Sequence, residues 1–469
     1  MYEANWLSIL PPVLSIFLAI LSRQVIFSLG FGIWMGYCIY ESTNPLTGAT
    51  LALDGIIGVF SDAGDTRVIL FTLLVGALIA TIEVTGGVRG FISLLQRNKW
   101  VSNGRQAQWL AYFTGIFIFI ESNITLLVAG AVSRPLFREY KLSAEKLAYI
   151  IDSTSAPVCV LLPFNAWGAV IIGLLMGVNI ENPIETFIGA IAFNFYPIAV
   201  LIVCAFAILR NVDIGPMRAA QSRARDLSQV APEVETKGVE EEEVSDKNSK
   251  GAAIFMLGPI IVLVICMPLF LLLTGNGSIT EGSGSTSVLW AVMSALSFSW
   301  ALTLINRVAS VATLKRAFLT GTSDLLPVAT TLLLALALGD VANLLGTGPY
   351  IAQLARETLP LISLVPLMFL ISSFIAFSIG SSWGTFAIMI PIGLNIALAL
   401  DVSTSLFLAA VLSGAVFGDH ASPISDTTVV ASMASGSDHI SHVRTQLPYA
   451  LISGGIATIG FLVTGMIVL

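Results

Sequence analysis

The chain has 469 residues, 56% of them hydrophobic and 11% charged, where an ordinary globular protein is roughly a quarter charged. So few charges cannot cover a water-facing surface, and most of the chain is expected to lie in lipid, as the runs Ile254 to Leu273, Val365 to Ile379 and Leu447 to Leu469 indicate. The net charge of −7 comes partly from one hydrophilic stretch, and the absence of a basic block argues against nucleic acid as a partner.

The first apolar run follows Glu3 and Trp6 rather than a basic region, and no small-residue cleavage site comes after it. It is therefore expected to stay as a helix. Arg89, Arg97, Lys99 and Arg105 precede the segment 106–133, and Arg134, Arg138, Lys141 and Lys146 follow it. Lys and Arg accumulate in cytoplasmic loops, so both ends read as cytoplasmic. The segment is predicted to be a hairpin that enters the membrane and turns back, with Glu121, Ser122 and Asn123 at its tip. Non-helical backbone at that depth needs protein or a water-filled cavity around it.

Next, Asp152-Ser153-Thr154-Ser155-Ala156-Pro157 interrupts a hydrophobic stretch of about 30 residues, too long for one span and suited to a helix broken in mid-membrane. Proline removes a backbone donor and disfavours helix in the residue before it. From Arg210 to Lys250 the chain turns hydrophilic, with Pro216, Pro232 and the run Glu240 to Glu243, and reads as an exposed linker. The expected domains are 1–209, this linker at 210–250, and 251–469.

The second half repeats the plan of the first. Gly86 and Gly346, Glu83 and Asn343, and Thr125 and Thr385 match at an offset of 260 residues, and Pro157 and Pro423 at 266. The loop Gly346 to Pro360 carries only Arg356, as an inverted half requires. Ser378-Ile379-Gly380-Ser381-Ser382-Trp383-Gly384-Thr385 is read as the second hairpin tip, and Gly418 to Thr428 as the second broken helix. The predicted fold is an all-α polytopic membrane protein of two inverted repeats, each with five spans and one re-entrant hairpin. Loops 179–185 and 275–286, free of Lys and Arg, fall outside.

A broken helix exposes carbonyls at one end and amides at the other, so oxygens converge where lipid cannot solvate them. Hard cations such as sodium need that kind of cage. Glu121, Asp152, Asp419 and Asp426 add negative charge, and a carboxylate at membrane depth is a functional hypothesis by default. Buried without a cation, such a group takes up a proton instead. That competition is the physical basis of antiport. No Lys or Arg occurs between Lys146 and Arg210 or between Arg356 and Arg444, which slightly disfavours organic acids.

Plainer readings compete for several residues. Glu121 could cap a helix, Trp383 could simply pack, and His420 could either carry a proton or orient Asp419. His439, His442 and Arg444 read as anchors at the cytoplasmic end of a span. Cys38, Cys159, Cys204 and Cys266 show neither metal nor disulfide spacing and read as packing residues. No phosphate loop or metal-ligand pattern suggests an enzyme, and no cofactor is expected.

The stretch Gly418 to Thr428, with Asp438-His439-Ile440-Ser441-His442-Val443-Arg444-Thr445-Gln446-Leu447-Pro448-Tyr449, resembles the signature of the NhaC family of sodium/proton antiporters. Ser381-Ser382-Trp383-Gly384-Thr385 resembles that family's other motif, while Ala421 stands where many members have cysteine. The resemblance implies membership of the ion-transporter superfamily, a bacterial inner membrane with the linker cytoplasmic, and a homodimer. It implies one sodium site at the first tip with Asp152 to Pro157, and another at the second tip with Asp419 to Thr428. The candidate ion-binding residues are Glu121, Ser122, Asn123, Thr125, Asp152, Ser153, Ser155, Pro157, Ser381, Ser382, Trp383, Thr385, Asp419, His420, Ser422, Pro423, Asp426 and Thr427. Ser122, Asn123, Asp152, Ser155, Ser381, Thr385, Asp419 and Asp426 are the candidate sodium ligands. The expected function is sodium/proton antiport; the alternative is sodium-coupled transport of an amino acid or of a carboxylate such as malate or lactate.

Overall fold

A computed structural model describes residues 4–22, 24–41, 44–91, 101–119, 121–163, 165–178, 180–227, 253–277, 282–358 and 360–468. Regular structure among the described residues is helical throughout. Among the described residues, nine helices are long and apolar enough to cross a bilayer, including Ala63–Val84, Pro183–Arg210, Ile254–Thr274 and His439–Val468. Val25–Tyr40 and Pro45–Ser61, which meet at 116°, would make a tenth if taken as one span. Large apolar side chains such as Phe17, Ile265, Leu273, Phe374, Ile459 and Ile467 face outward, an arrangement that water would penalise and lipid does not.

The chain breaks where polar runs interrupt the apolar ones. Gly104–Phe117 and Ser122–Glu139 pack against each other across the break at 118–121. The first of these has 14 residues and is only about 21 Å long, well short of the bilayer core. Leu361–Ile379 and Ser382–Leu400, around the other expected tip, have 19 residues each, so either arm alone could cross. Gly380, at φ 74°, makes the turn between them, a conformation that costs other residues far more than glycine. The 260-residue offset reappears in the helix ends. Helices begin at Ser122 and Ser382 and end at Val84 and Leu344, and Gly86 and Gly346 follow with φ of 72° and 63°.

Both expected broken helices are broken. Ala144–Ser153 stops short, Ser155 leaves helical geometry at φ −96° and ψ −93°, and the short Ala156–Cys159 turn precedes Ala166–Gly177. Thr404–Ala421 and Asp426–Ser435 flank irregular residues 422–425. Asp426–Ser435 packs against both Ser122–Glu139 and Ala144–Ser153. Gly130 permits this approach, because a Cβ there would sit 2.9 Å from the Ala434 carbonyl oxygen. Thr404–Ala421 lies against Leu361–Ile379 through Gly414 and Gly418, a small-xxx-small pair that lets two backbones touch.

The expected linker is exposed at Arg210 to Val212 but then folds back onto the protein. Pro216–Leu227 is a helix that docks on Ala144–Ser153 and His439–Val468 with Met217 and Ala220 buried. Gln221 accepts from Ser143 N at 3.1 Å and donates to the Lys141 carbonyl at 2.9 Å. Lys146 pairs with Asp213 at 2.8 Å, both side chains largely buried. Apolar residues at helical spacing are what turn this part of a hydrophilic run inward. The rest of the expected linker, with Glu240 to Glu243, lies outside the described residues, as do Arg97 and Lys99 of the charge count.

Gly414→Val would place a Cβ 2.3 Å from the Phe369 carbonyl oxygen. Overpacking of this kind costs about 1–3 kcal/mol, so the thermal midpoint of the detergent-solubilised protein should fall by several degrees. An unchanged midpoint would show that the crossing is looser than described.

Candidate functional site

Glu121 is the N-cap of Ser122–Glu139. Its carboxylate accepts from Ser122 Oγ at 3.0 Å, Asn123 Nδ2 at 3.2 Å and Ile124 N at 3.0 Å. It caps a helix, as the plainer reading has it, and is buried, 8% exposed. Thr125 donates back to the Ile118 and Glu121 carbonyls and closes the break. Asn123 Oδ1 is buried and has no hydrogen-bond partner among the described residues.

Asp152, 1% exposed, stands in the last turn of Ala144–Ser153. Its Oδ2 accepts from Gln446 Nε2 at 2.7 Å, lies 3.3 Å from His442 Nε2 and lies 3.7 Å from His420 Nε2. All three partners come from the other half of the chain. Ser155 donates to the Asp152 carbonyl, and Ser153 and Pro157 are buried beside it.

Asp419, 2% exposed, accepts from Ser382 Oγ at 2.7 Å, while its Oδ1 has no hydrogen-bond partner among the described residues. Ser381 caps Ser382–Leu400 by accepting from Gly384 N, and Thr385 donates to the Ser381 carbonyl. Trp383 packs against Trp167 with ring centroids 4.7 Å apart. Ser422 donates to the Phe377 carbonyl. Pro423 and Asp426 are exposed, and Thr427 is buried with its hydroxyl 2.9 Å from that of Ser425.

Asp426 is close enough for its charge to interact with those of Glu121, Asp152 and Asp419, and Asp419 with that of Asp152. Glu121 thus lies within electrostatic range of Asp426, and Asp152 lies beside His420, so the acids draw on both halves of the chain.

Two expectations need correction. His420 does not orient Asp419: its Nδ1 lies 2.6 Å from the Tyr196 hydroxyl and its other nitrogen faces Asp152. His442 is no interfacial anchor, since it is fully buried on Asp152. His439 is half-buried, with Nε2 2.7 Å from the carbonyl oxygen of the exposed Pro423. Sequence reasoning missed Tyr196, His442 and Gln446. Helical spacing carries a signal for the last two: His442, Gln446, Tyr449 and Ser453 recur every three or four residues on His439–Val468 and are all buried, while Arg444 faces outward.

The profile of the Na+/H+ antiporter family matches residues 158–466, which includes Asp419, Asp426, His442 and Gln446 but not Glu121 or Asp152. An uncharacterized protein of Haemophilus influenzae is 31% identical over 490 residues, covering 99% of this chain and 92% of its own length. The arginine/ornithine antiporter ArcD of Halobacterium salinarum is 38% identical over 121 residues, 26% of this chain and 25% of its own. The malate-2H(+)/Na(+)-lactate antiporter of Bacillus subtilis is 39% identical over 105 residues, 21% of this chain and 22% of its own. Among solved structures, the Alcanivorax borkumensis YdaH transporter superposes with a TM-score of 0.59 over 97% of this chain and 98% of its own at 15% identity, so the two share a fold.

Tyr196→Phe would leave His420 Nδ1 buried without its hydroxyl partner, at a cost of about 1–3 kcal/mol. A lowered thermal midpoint with retained fold is the expected outcome, checked by scanning fluorimetry in detergent.

Proposed function

The chain belongs to the Na+/H+ antiporter family, and we propose that it exchanges sodium for protons at the carboxylate cluster formed by Glu121, Asp152, Asp419 and Asp426. It is an integral membrane transporter and not an enzyme. The observation that carries the exchange reading is the chemistry of that cluster. Asp426 is within electrostatic range of the other three carboxylates and Asp419 of Asp152, while Ser382 Oγ donates to Asp419 and the Asn123 side chain, its Oδ1 without a partner among the described residues, lies on Glu121. The segments 147–209 and 357–443 contain no Lys or Arg to neutralise them. Carboxylates within range of one another, three of them buried, repel, and either a cation or a proton relieves the repulsion. Sodium arriving from one side and protons from the other then displace each other at the same oxygens.

The shared helix ends at an offset of 260 residues and the charge bias of the loops support two inverted repeats, with the breaks at 118–121 and 380–381 as hairpin tips. Alternating access by an elevator-like or rocking movement, in a homodimer of the bacterial inner membrane with the linker cytoplasmic, completes this reading.

A second reading follows from the relatives named as antiporters of arginine and ornithine or of malate and lactate. Under it the cluster binds sodium or a cationic group to drive movement of a small organic solute. The acidic cluster fits a cationic amino acid better than a dicarboxylate. Sodium-dependent uptake of labelled arginine, ornithine, malate or lactate, without proton movement, would favour it.

In proteoliposomes carrying an internal pH dye, sodium should dissipate an imposed acid-inside gradient. The half-saturating sodium concentration should rise as pH falls, by up to about tenfold per pH unit for one competing proton. Asp419→Asn should abolish the response. No sodium-dependent pH change in the unsubstituted protein at any external pH would sink the exchange reading.

A further inference from the structure

Gln446 occupies a position that neither the carboxylate cluster nor the hairpin tips explain. It lies on His439–Val468, one turn beyond His442, and is 1% exposed. Its Nε2 makes two hydrogen bonds, each 2.7 Å long, one to Asp152 Oδ2 and one to the His420 carbonyl oxygen. Both partners are acceptors, so the amide can present only its NH2 to them and its orientation is fixed. The His420 carbonyl belongs to the last turn of Thr404–Ala421, where a helix leaves its carbonyls without intrahelical donors. One side chain therefore holds the carboxylate that ends the first broken segment and the backbone that ends the second.

The oxygen of the same amide, Oε1, is buried and has no hydrogen-bond partner among the described residues. A buried amide oxygen left bare is unfavourable, and it is the kind of neutral ligand that a hard monovalent cation accepts. His442, the neighbouring contact to Asp152, supplies a nitrogen and cannot replace it in either role.

We propose that Gln446 is a positioning residue for the cation site: it clamps the two helix breaks in register through Nε2 and offers Oε1 to the bound cation. The inference deepens the antiport reading and rests on it for the identity of the cation. It assigns sodium affinity to a neutral side chain outside the tips and the broken segments. Removing the amide should weaken sodium binding more than it slows turnover, because the carboxylates that exchange the ion stay in place.

The test compares Gln446→Met, which keeps the volume and loses both the donor and the oxygen, with Gln446→Ala in the full-length protein. Two readouts are used: sodium-dependent thermal stabilisation in detergent, and sodium-dependent proton movement in proteoliposomes. Both variants should raise the half-saturating sodium concentration at least tenfold in each assay, with the maximal rate reduced less than threefold. If Gln446→Met binds sodium like the unsubstituted protein while Gln446→Ala does not, Gln446 only fills space and the proposal is overturned. Variants that lose the sodium-free thermal transition altogether also overturn it, since Gln446 would then be a determinant of folding. The stabilisation assay needs no proton coupling, so unsubstituted protein that is stabilised by sodium but moves no protons would refute antiport and leave the clamp on trial by its own readout.

Discussion

The site depends on how a carboxylate is kept inside a protein that lies mostly in lipid. Asp152 is almost wholly enclosed, and a charge held there without partners would be costly enough to unmake the local structure. Its neighbours on its own segment offer little: Ser155 turns back to the Asp152 carbonyl instead of reaching the carboxylate. The donors come from 290 and 294 residues further along the chain, on the last helix. This pairing locks the end of one broken helix to a helix of the opposite half. The remaining site geometry follows from that lock, because Asp426–Ser435 must then fit between Ala144–Ser153 and Ser122–Glu139, which brings Asp426 to Glu121.

The close fit is made by small residues more than by polar ones. Gly130 against Ala434, and Gly414 and Gly418 against the backbone from Phe369 to Phe377, let helices touch at carbonyl distance. Lipid gives no hydrophobic incentive for helices to associate, so such contacts carry much of the cohesion. They also set the position of Asp419, which follows Gly418 directly and accepts from Ser382 at the start of the next helix, Ser382–Leu400.

Much of this was legible in the sequence, for identifiable reasons. Polar runs inside apolar stretches are expensive in lipid, so the breaks near Asp152 and Asp419 announced themselves, and Glu121, Ser382 and Asp426 came with them. What stayed hidden was partnership. Nothing in the local sequence around His420 distinguishes a histidine that turns toward Asp419 from one that turns to Tyr196 and Asp152. His442 and Gln446 were masked by their company, since Asp438, His439 and Arg444 look like the polar end of a span, and only the three-to-four spacing continuing through Tyr449 and Ser453 separates the buried face from the wet one. The linker misled in a similar way: its overall charge concealed Met217, Ala220 and Gln221, which dock its first helix.

The placement of Gln446 and His442 on the final helix has a consequence for biosynthesis. A ribosome makes Asp152 long before it makes either partner, and domains ordinarily mature from the N-terminus onward. Here the first half can enter the membrane, but Asp152 lacks these two donors until the segment His439–Val468 has been made and inserted. A nascent copy that stops before Gln446 therefore cannot form the contacts that tie the two halves together at Asp152. The order of synthesis itself leaves this lock open until that helix arrives.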